Sequence, residues 1–76
     1  MGRVPIPKPS FLDRCQYLGY VEGDRRWRGS KGMLHTRDGR HGEIETYDSR
    51  GRHRYVADAI TGQPIGPPVK GRRIRV

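Results

Sequence analysis

The sequence predicts a mainly β fold, a small and highly twisted antiparallel sheet with an N-terminal extended arm and a short helix. Turn residues recur after residue 24, and the segments between them have strand length. The chain has 76 residues, of which only 32% are hydrophobic, so it has room for one small core. We therefore expect a single structural domain, with the arm and helix in residues 1–24 and the sheet in residues 25–76.

The arm and the helix are predicted from two local patterns. Proline occupies every second position in residues 5–9, which removes backbone donors and favours an extended chain. Ser10 followed by Asp13 resembles a helix-start signal, and apolar residues come after it at helical spacing. These features predict a short helix over residues 11–18.

The sheet is predicted from alternation and turn signals. Strands are expected over residues 33–37, 42–47, 53–58 and 69–76. Asp38-Gly39 is a tight-turn signal between the first two of these strands. In the second strand, Glu43 and Glu45 alternate with Ile44, so the two carboxylates are expected on one face.

Charge is the first pointer to function. The net charge is +8, with 16 basic and 8 acidic residues. Residues 1–24 are balanced, so the whole excess lies in residues 25–76, and most of the basic residues are arginine. Arginine suits bidentate phosphate contacts, and this density favours a polyanionic partner over a merely solubilising surface.

The chemistry is predicted to centre on residues 38–45. Extended-chain alternation places His41, Glu43 and Glu45 on one face, and an imidazole with two carboxylates can carry acid–base catalysis. Two other interpretations remain open: an ordinary solvent-facing strand, and a three-ligand metal site. The metal site is the less favoured of the two, because no other part of the sequence offers a histidine with a second ligand at close metal spacing. The prediction is therefore made without a metal ion.

Further residues are assigned to RNA binding or to structure. The RNA-binding candidates are Arg37, Arg40, Arg54, Tyr55 and Arg73. Aromatic residues among arginines suit base stacking, although Tyr55 can equally serve the core. His35 and His53 are predicted to be surface or strand-pairing residues. The chain shows neither an apolar run of membrane-spanning length nor a signal-peptide pattern.

Taken in order, these residues resemble a known family. The matching positions are Arg26-Trp27, Lys31-Gly32, Asp38, His41-Gly42-Glu43-Ile44-Glu45, Tyr47, Gly51, His53, Asp58, Thr61-Gly62, Gly66-Pro67, Lys70, Arg72 and Ile74. The series is similar to the cytotoxic ribonuclease domain of the colicins that cleave small-subunit ribosomal RNA. The chain departs from the family beside Asp38, where His35 and Arg37 replace an aromatic pair and Gly39-Arg40 replaces Ser-Gln.

The resemblance implies an endoribonuclease that needs no cofactor. It implies cleavage of 16S ribosomal RNA at the decoding site by 2′-hydroxyl attack, with a cyclic phosphate as product. Its catalytic residues would be Asp38, His41, Glu45 and Arg72, with Glu43 in a supporting role. Glu45 would be the base, His41 an acid or electrostatic partner, and Arg72 the cation that stabilises the phosphorane. Simple alternation would place Arg72 on the same face as Ile74. For Arg72 to reach the site, a bend or a bulge is therefore expected near it.

The resemblance also implies partners and a place of action. The ribosome would be the target, and an acidic immunity protein would neutralise the domain. The toxin would act in the cytoplasm of the target bacterium, delivered as part of a larger protein. The alternatives are a non-catalytic basic RNA-binding module and a structural protein of ribosomal type. Neither alternative explains two carboxylates in the most basic part of the chain.

Overall fold

The computed structural model describes residues 3–76 and contains one six-stranded antiparallel sheet. The strands are β1 (Gln16–Val21), β2 (Asp24–Arg28), β3 (Leu34–Asp38), β4 (Glu43–Tyr47), β5 (His53–Ala57) and β6 (Pro64–Gly66). Their order in the sheet is their order in the chain, so each strand pairs with its sequence neighbours. This meander confirms the predicted mainly β class.

The predicted helix over residues 11–18 is wrong in length and type. Phe11–Arg14 forms one turn of 3-10 helix, and Gln16–Val21 forms β1. The start signal at Ser10 is real, because its hydroxyl accepts a hydrogen bond from the Leu12 amide at 3.0 Å. What ends the helix is the hairpin that β1 makes with β2.

That first hairpin escaped sequence reasoning. Val21 pairs with Asp24, so only Glu22 and Gly23 form the turn, and both have positive φ values. Two positive φ angles define the type I′ turn that suits the twist of a hairpin. A glutamate at the first of these positions is a weak turn signal, so the sequence does not predict this turn.

The predicted strand over residues 69–76 is also wrong. This segment is irregular, with one bridge between Arg52 and Arg73 and a turn at Gly71, whose φ is +86°. Pro67 and Pro68 have no amide hydrogen, so they cannot extend the β5–β6 ladder into it. The short strand β6 pairs with β5 instead, and the C-terminal segment crosses residues 51–53.

The sheet has one apolar face and one polar face, and both are covered. The core on the first face consists of Leu12, Trp27, Ile44, Ala57 and Ala59, with Ile6, Phe11, Cys15 and Tyr55 packed against it. The arm and the 3-10 helix supply this cover. The C-terminal segment covers the second face, where the guanidinium of Arg26 donates to the Arg75 carbonyl at 2.7 Å.

Burial of β4 excludes one interpretation of its sequence. Ile44 is fully buried in the core, whereas Glu45 and Tyr47 are buried on the opposite face. Alternation is therefore confirmed, but neither of these faces is open to solvent. Within residues 3–76, no helix has the length and apolar character needed to cross a membrane.

Candidate active site

Functional side chains gather in two groups at β3 and β4. The turn cluster consists of Asp38, His41 and Glu43, and the buried cluster consists of Glu45, His53 and Arg72. Asp38 pairs with Glu43 across the two strands, and Thr36 pairs with Glu45. Residues opposite each other share a face, and residues two apart on a strand do as well. Both clusters therefore belong to the polar face of the sheet.

The turn cluster is organised by the carboxylate of Asp38. One of its oxygens accepts hydrogen bonds from the backbone amides of Arg40 and His41, at 3.0 and 3.2 Å. The other lies 2.8 Å from Nδ1 of His41. Burial alone would raise the pKa of Asp38, but these hydrogen bonds from His41 and Arg40 outweigh it and hold the pKa below its usual value. Asp38 thus presents an anionic anchor to the imidazole.

His41 is the accessible member of the turn cluster. Its side chain is 65% exposed, and Asp38 engages only Nδ1, so Nε2 remains available for a substrate. Gly42 has a φ of +72° and lies outside β4, so strand alternation cannot be carried back to His41. A ring nitrogen of His41 still lies within 4.8 Å of a Glu43 carboxylate oxygen, but the turn and not strand alternation sets the position of His41.

Three side chains of the turn cluster are close enough to share a metal ion. Asp38, His41 and Glu43 each offer a ligand atom within 4.8 Å of the others. The hydrogen bond between Asp38 and His41 accounts for the proximity of these two side chains, and strand pairing brings Glu43 opposite Asp38. Glu45 is not part of the group, so the set of His41, Glu43 and Glu45 raised as a metal site from the sequence is not assembled.

The buried cluster converges on one carboxylate oxygen. Oε1 of Glu45 lies 2.6 Å from Nε2 of His53 and accepts from the Arg72 guanidinium at 3.1 Å. The His53 side chain is fully buried, and that of Glu45 is 12% exposed. On the other side of the ring, the amide of Val69 donates to Nδ1 of His53 at 2.9 Å. The C-terminal segment therefore completes this cluster.

Arg72 reaches Glu45 because the chain turns just before it. The turn at Lys70 and Gly71 precedes Arg72, and the His53 amide donates to the Arg72 carbonyl at 3.0 Å. The bend expected from the sequence is confirmed. In a flat strand over residues 69–76, the Arg72 side chain would have projected from the same face as Ile74.

Tyr47 closes one side of the buried cluster. Its ring meets the His53 ring edge-on, with centroids 5.3 Å apart. Burial raises the pKa of the Tyr47 phenol, while a hydrogen bond with Thr36 lowers it and the Glu45 charge raises it again. The net direction is upward, so the hydroxyl stays protonated at neutral pH and remains a neutral neighbour of Glu45.

The remaining RNA-binding candidates have different surroundings. Arg37 donates to the backbone carbonyls of Val4, Pro5 and Asp38 at 2.8 to 2.9 Å, so backbone carbonyls engage both of its terminal nitrogens. Tyr55 packs against the core. The other three candidates, Arg40, Arg54 and Arg73, are exposed.

A basic cavity lies beside the buried cluster. Its volume is about 480 Å³. Its cationic lining residues are Arg52, Arg54, Lys70, Arg72 and Arg73. His53 also lines it, so the cavity borders the partners of Glu45, and no acidic residue contributes to its wall. It is a suitable surface for the phosphates of a nucleic acid.

His53 and Val69 are the members of the site that sequence reasoning missed. His53 was predicted to be a surface or strand-pairing residue; it is buried, and it pairs with Tyr47 across a bulge. Its contact with Glu45 depends on that bulge and on the path of residues 69–72. The alternation of side chains along a strand predicts neither the bulge nor the path of the C-terminal segment.

The fold and the site define a small basic β protein in which carboxylates, imidazoles and guanidiniums share one face of a meander. A family model described as Cytotoxic matches residues 19–75, most of the chain. The chain therefore belongs to the family of cytotoxic domains of the colicins that cleave ribosomal RNA, and it is a toxin domain of bacteriocin type. The match begins within β1. A search of curated proteins found no match.

Proposed function

We propose that this chain is a metal-independent endoribonuclease that cleaves 16S ribosomal RNA at the decoding site and stops translation. The observation that carries the proposal is the placement of Glu45. Both of its hydrogen-bond donors approach Oε1, and among residues 3–76 no hydrogen bond reaches Oε2. A held carboxylate with one unoccupied oxygen is suited to accept a proton.

The reaction can be written with residues of the two clusters. Oε2 of Glu45 takes the proton of the ribose 2′-hydroxyl, and the 2′-oxygen attacks the adjacent phosphorus. The bond to the 5′-oxygen breaks, and Nε2 of a protonated His41 gives that oxygen its proton. The products are a 2′,3′-cyclic phosphate and a free 5′-hydroxyl. Arg72 offsets the charge that develops on the phosphorane.

Asp38 and Glu43 support His41 in this scheme. Asp38 fixes Nδ1 and thereby directs Nε2 away from the turn. Glu43 offers a second carboxylate oxygen within 4.8 Å of a ring nitrogen of His41, so both acidic residues flank the imidazole. RNA backbone contacts would come from the exposed Arg40, Arg54 and Arg73, with smaller roles for Arg37 and Tyr55.

The proposal extends to partners and place of action. The basic surface suits an acidic immunity protein, which would protect the producing cell. The toxin would act on ribosomes in the cytoplasm of the target bacterium after delivery as part of a larger protein. Residues 1–24 would serve as the arm and first strand of a ribonuclease domain that is otherwise contained in residues 25–76.

The test is cleavage of intact ribosomes followed by primer extension on the small-subunit RNA. The wild type is expected to release a discrete 3′ fragment with or without a metal chelator. Glu45→Gln and His41→Ala are expected to slow cleavage by about 100-fold or more while RNA affinity persists. Glu22→Gln is the matched control, because it makes the same carboxylate-to-amide change in the exposed β1–β2 turn.

Two results would refute the proposal. One is that ribosomes stay uncut at micromolar wild-type protein; salt-dependent binding without turnover would then identify an RNA-binding module. The other is that Glu45→Gln cleaves as fast as Glu22→Gln.

A further inference from the structure

We propose that His53 is a positioning residue of this reaction, which holds Glu45 through a neutral ring protonated at Nε2. The inference rests on the proposed ribonuclease function and adds a residue to it. His53 touches no substrate in this scheme. It acts through Glu45 and Arg72.

The tautomer follows from the two contacts of the ring. The Val69 amide can only donate, so Nδ1 of His53 must accept through its lone pair and carries no hydrogen. The ring proton therefore lies on Nε2, where it donates to Oε1 of Glu45 at 2.6 Å. A doubly protonated ring would set an N–H against the Val69 N–H, so this geometry holds His53 neutral.

A neutral donor suits a carboxylate that must act as a base. Arg72 already supplies one positive charge to Glu45 Oε1, and its side chain is 46% exposed, so it can also turn toward a phosphate. The ring of His53 is fully buried and has no such freedom. It fixes the orientation of the carboxylate without adding a second cation, and Oε2 is left to face the substrate.

The backbone of His53 positions the catalytic cation as well. Its amide donates to the carbonyl of Arg72, and the bridge between Arg52 and Arg73 flanks this contact. His53 thus holds the C-terminal segment twice, by its ring at Val69 and by its amide at Arg72. One residue of β5 sets the relative position of the base and the cation.

Two substitutions separate the contacts of the ring. In His53→Gln, the side-chain amide nitrogen reaches the position of Nε2 and keeps the donor to Glu45. In His53→Asn, the shorter amide places its oxygen near the position of Nδ1, so it keeps the acceptor for Val69 and loses the donor. Both variants are first checked for cooperative thermal unfolding, and RNA binding and single-turnover cleavage of ribosomes are then measured.

We expect the donor to decide the rate. A hydrogen bond to a charged group is typically worth enough that its loss slows cleavage about 10-fold or more, and this loss is expected for His53→Asn. His53→Gln is expected to stay within about 3-fold of the wild type, with RNA affinity unchanged in both variants. In a Glu45→Gln background, His53→Asn is expected to cost nothing further, because its effect passes through Glu45.

Nitrogen chemical shifts of the ring test the tautomer without reference to activity. The expected spectrum of the wild type shows an unprotonated Nδ1 and a protonated Nε2 for His53. A ring protonated at Nδ1 or at both nitrogens overturns the inference, and so do equal rates for the two variants or independent losses in the double variant. If the wild type binds ribosomes without cleaving them, the proposed function itself fails, and the inferred role in catalysis fails with it.

Discussion

Glu43 and Glu45 lie two residues apart on one face of β4, yet they belong to different environments. Glu43 is half-buried in the turn cluster, whose members are all within six residues of one another. Glu45 is buried and held by residues 8 and 27 positions further along the chain. The turn cluster is a product of local sequence, whereas the buried cluster is a product of the tertiary fold.

This difference separates two tasks within one site. Asp38 captures the backbone amides of the turn and one ring nitrogen, and this leaves His41 accessible. The buried cluster gives Glu45 a fixed orientation in a place with little water. An exposed acid and a sheltered base can be altered independently, and the predictions below use that independence.

The largest expected effect concerns a third histidine, which shows what burial does without a charged partner. Burial lowers the pKa of His35 to about 4, and its ring contacts only the hydroxyl of Thr46 among polar side chains within residues 3–76. Between pH 6.5 and 4 the unfolded chain binds a proton at His35 that the folded chain does not. Stability is therefore full above pH 6.5 and falls as the pH drops, by about 3 kcal/mol at pH 4.

Urea unfolding of the wild type and His35→Gln at several pH values measures this effect. The variant is expected to lose less stability than the wild type between pH 6.5 and 5, a window above the usual carboxylate range. Identical pH dependence in the two proteins would show that His35 titrates in the folded state like an exposed histidine.

The next effect compares the two glutamates directly. Glu45→Ala removes the acceptor of a fully buried donor on His53, and an unsatisfied buried donor costs about 1 to 3 kcal/mol. Glu43→Ala changes a half-buried side chain and is expected to cost less than about 0.5 kcal/mol. Thermal unfolding of both variants checks the comparison. Equal losses would mean that the buried cluster adds no more to stability than the turn cluster does.

A somewhat smaller effect is expected at the turn beneath the C-terminal segment. Gly51 has a φ of +87°, and an added Cβ would collide with the Ile74 carbonyl. Gly51→Ala is expected to cost about 1 to 2 kcal/mol and to shift the segment that carries Arg72. Cleavage should fall, and the NMR signals of His53 should move while those of His41 stay in place. If only the NMR signals of His41 moved, the C-terminal segment would not belong to the buried cluster.

The smallest effect is expected in the turn cluster. Asp38→Asn keeps an oxygen for the backbone amides but removes the charge beside His41. Because the pKa of Asp38 is lowered in the folded protein, its carboxylate stabilises the fold above the usual aspartate pKa, and this contribution disappears as the pH falls through the lowered value. The variant should unfold within about 1 kcal/mol of the wild type at pH 7. Cleavage, by contrast, should fall clearly, and a normal rate would remove Asp38 from the mechanism.

The sequence predicts the strands best where the pattern is periodic and the turns are strong. β3, β4 and β5 lie within a residue of their expected positions, because Asp38-Gly39 marks a turn and Ile44 alternates with the glutamates. The predicted helix extended over the first three residues of β1, because Phe11, Cys15 and Leu18 fall at helical spacing. Pairing with β2 decides its structure, and a single-chain pattern carries no information about that pairing.

The candidate site was predictable in composition and less so in arrangement. Family resemblance assigned Glu45 and Arg72 to one site, and they are in contact. Alternation placed His41, Glu43 and Glu45 on one face, but it did not predict the turn at Gly42, in which His41 contacts Asp38. His53 was unpredictable, because its position depends on a bulge opposite Tyr47 and on a C-terminal segment that forms no regular strand.

The meander has a consequence for the order in which this protein acquires activity. Every strand pairs with its chain neighbour, and such local contacts close quickly during folding. The contacts that complete the buried cluster join Val69 and Arg72 to residues 16 and 27 positions away, so they pay a larger loop-closure cost. On refolding, the fluorescence of Trp27 in β2 should therefore recover before RNA cleavage does. Simultaneous recovery would mean that sheet and active site form in one step.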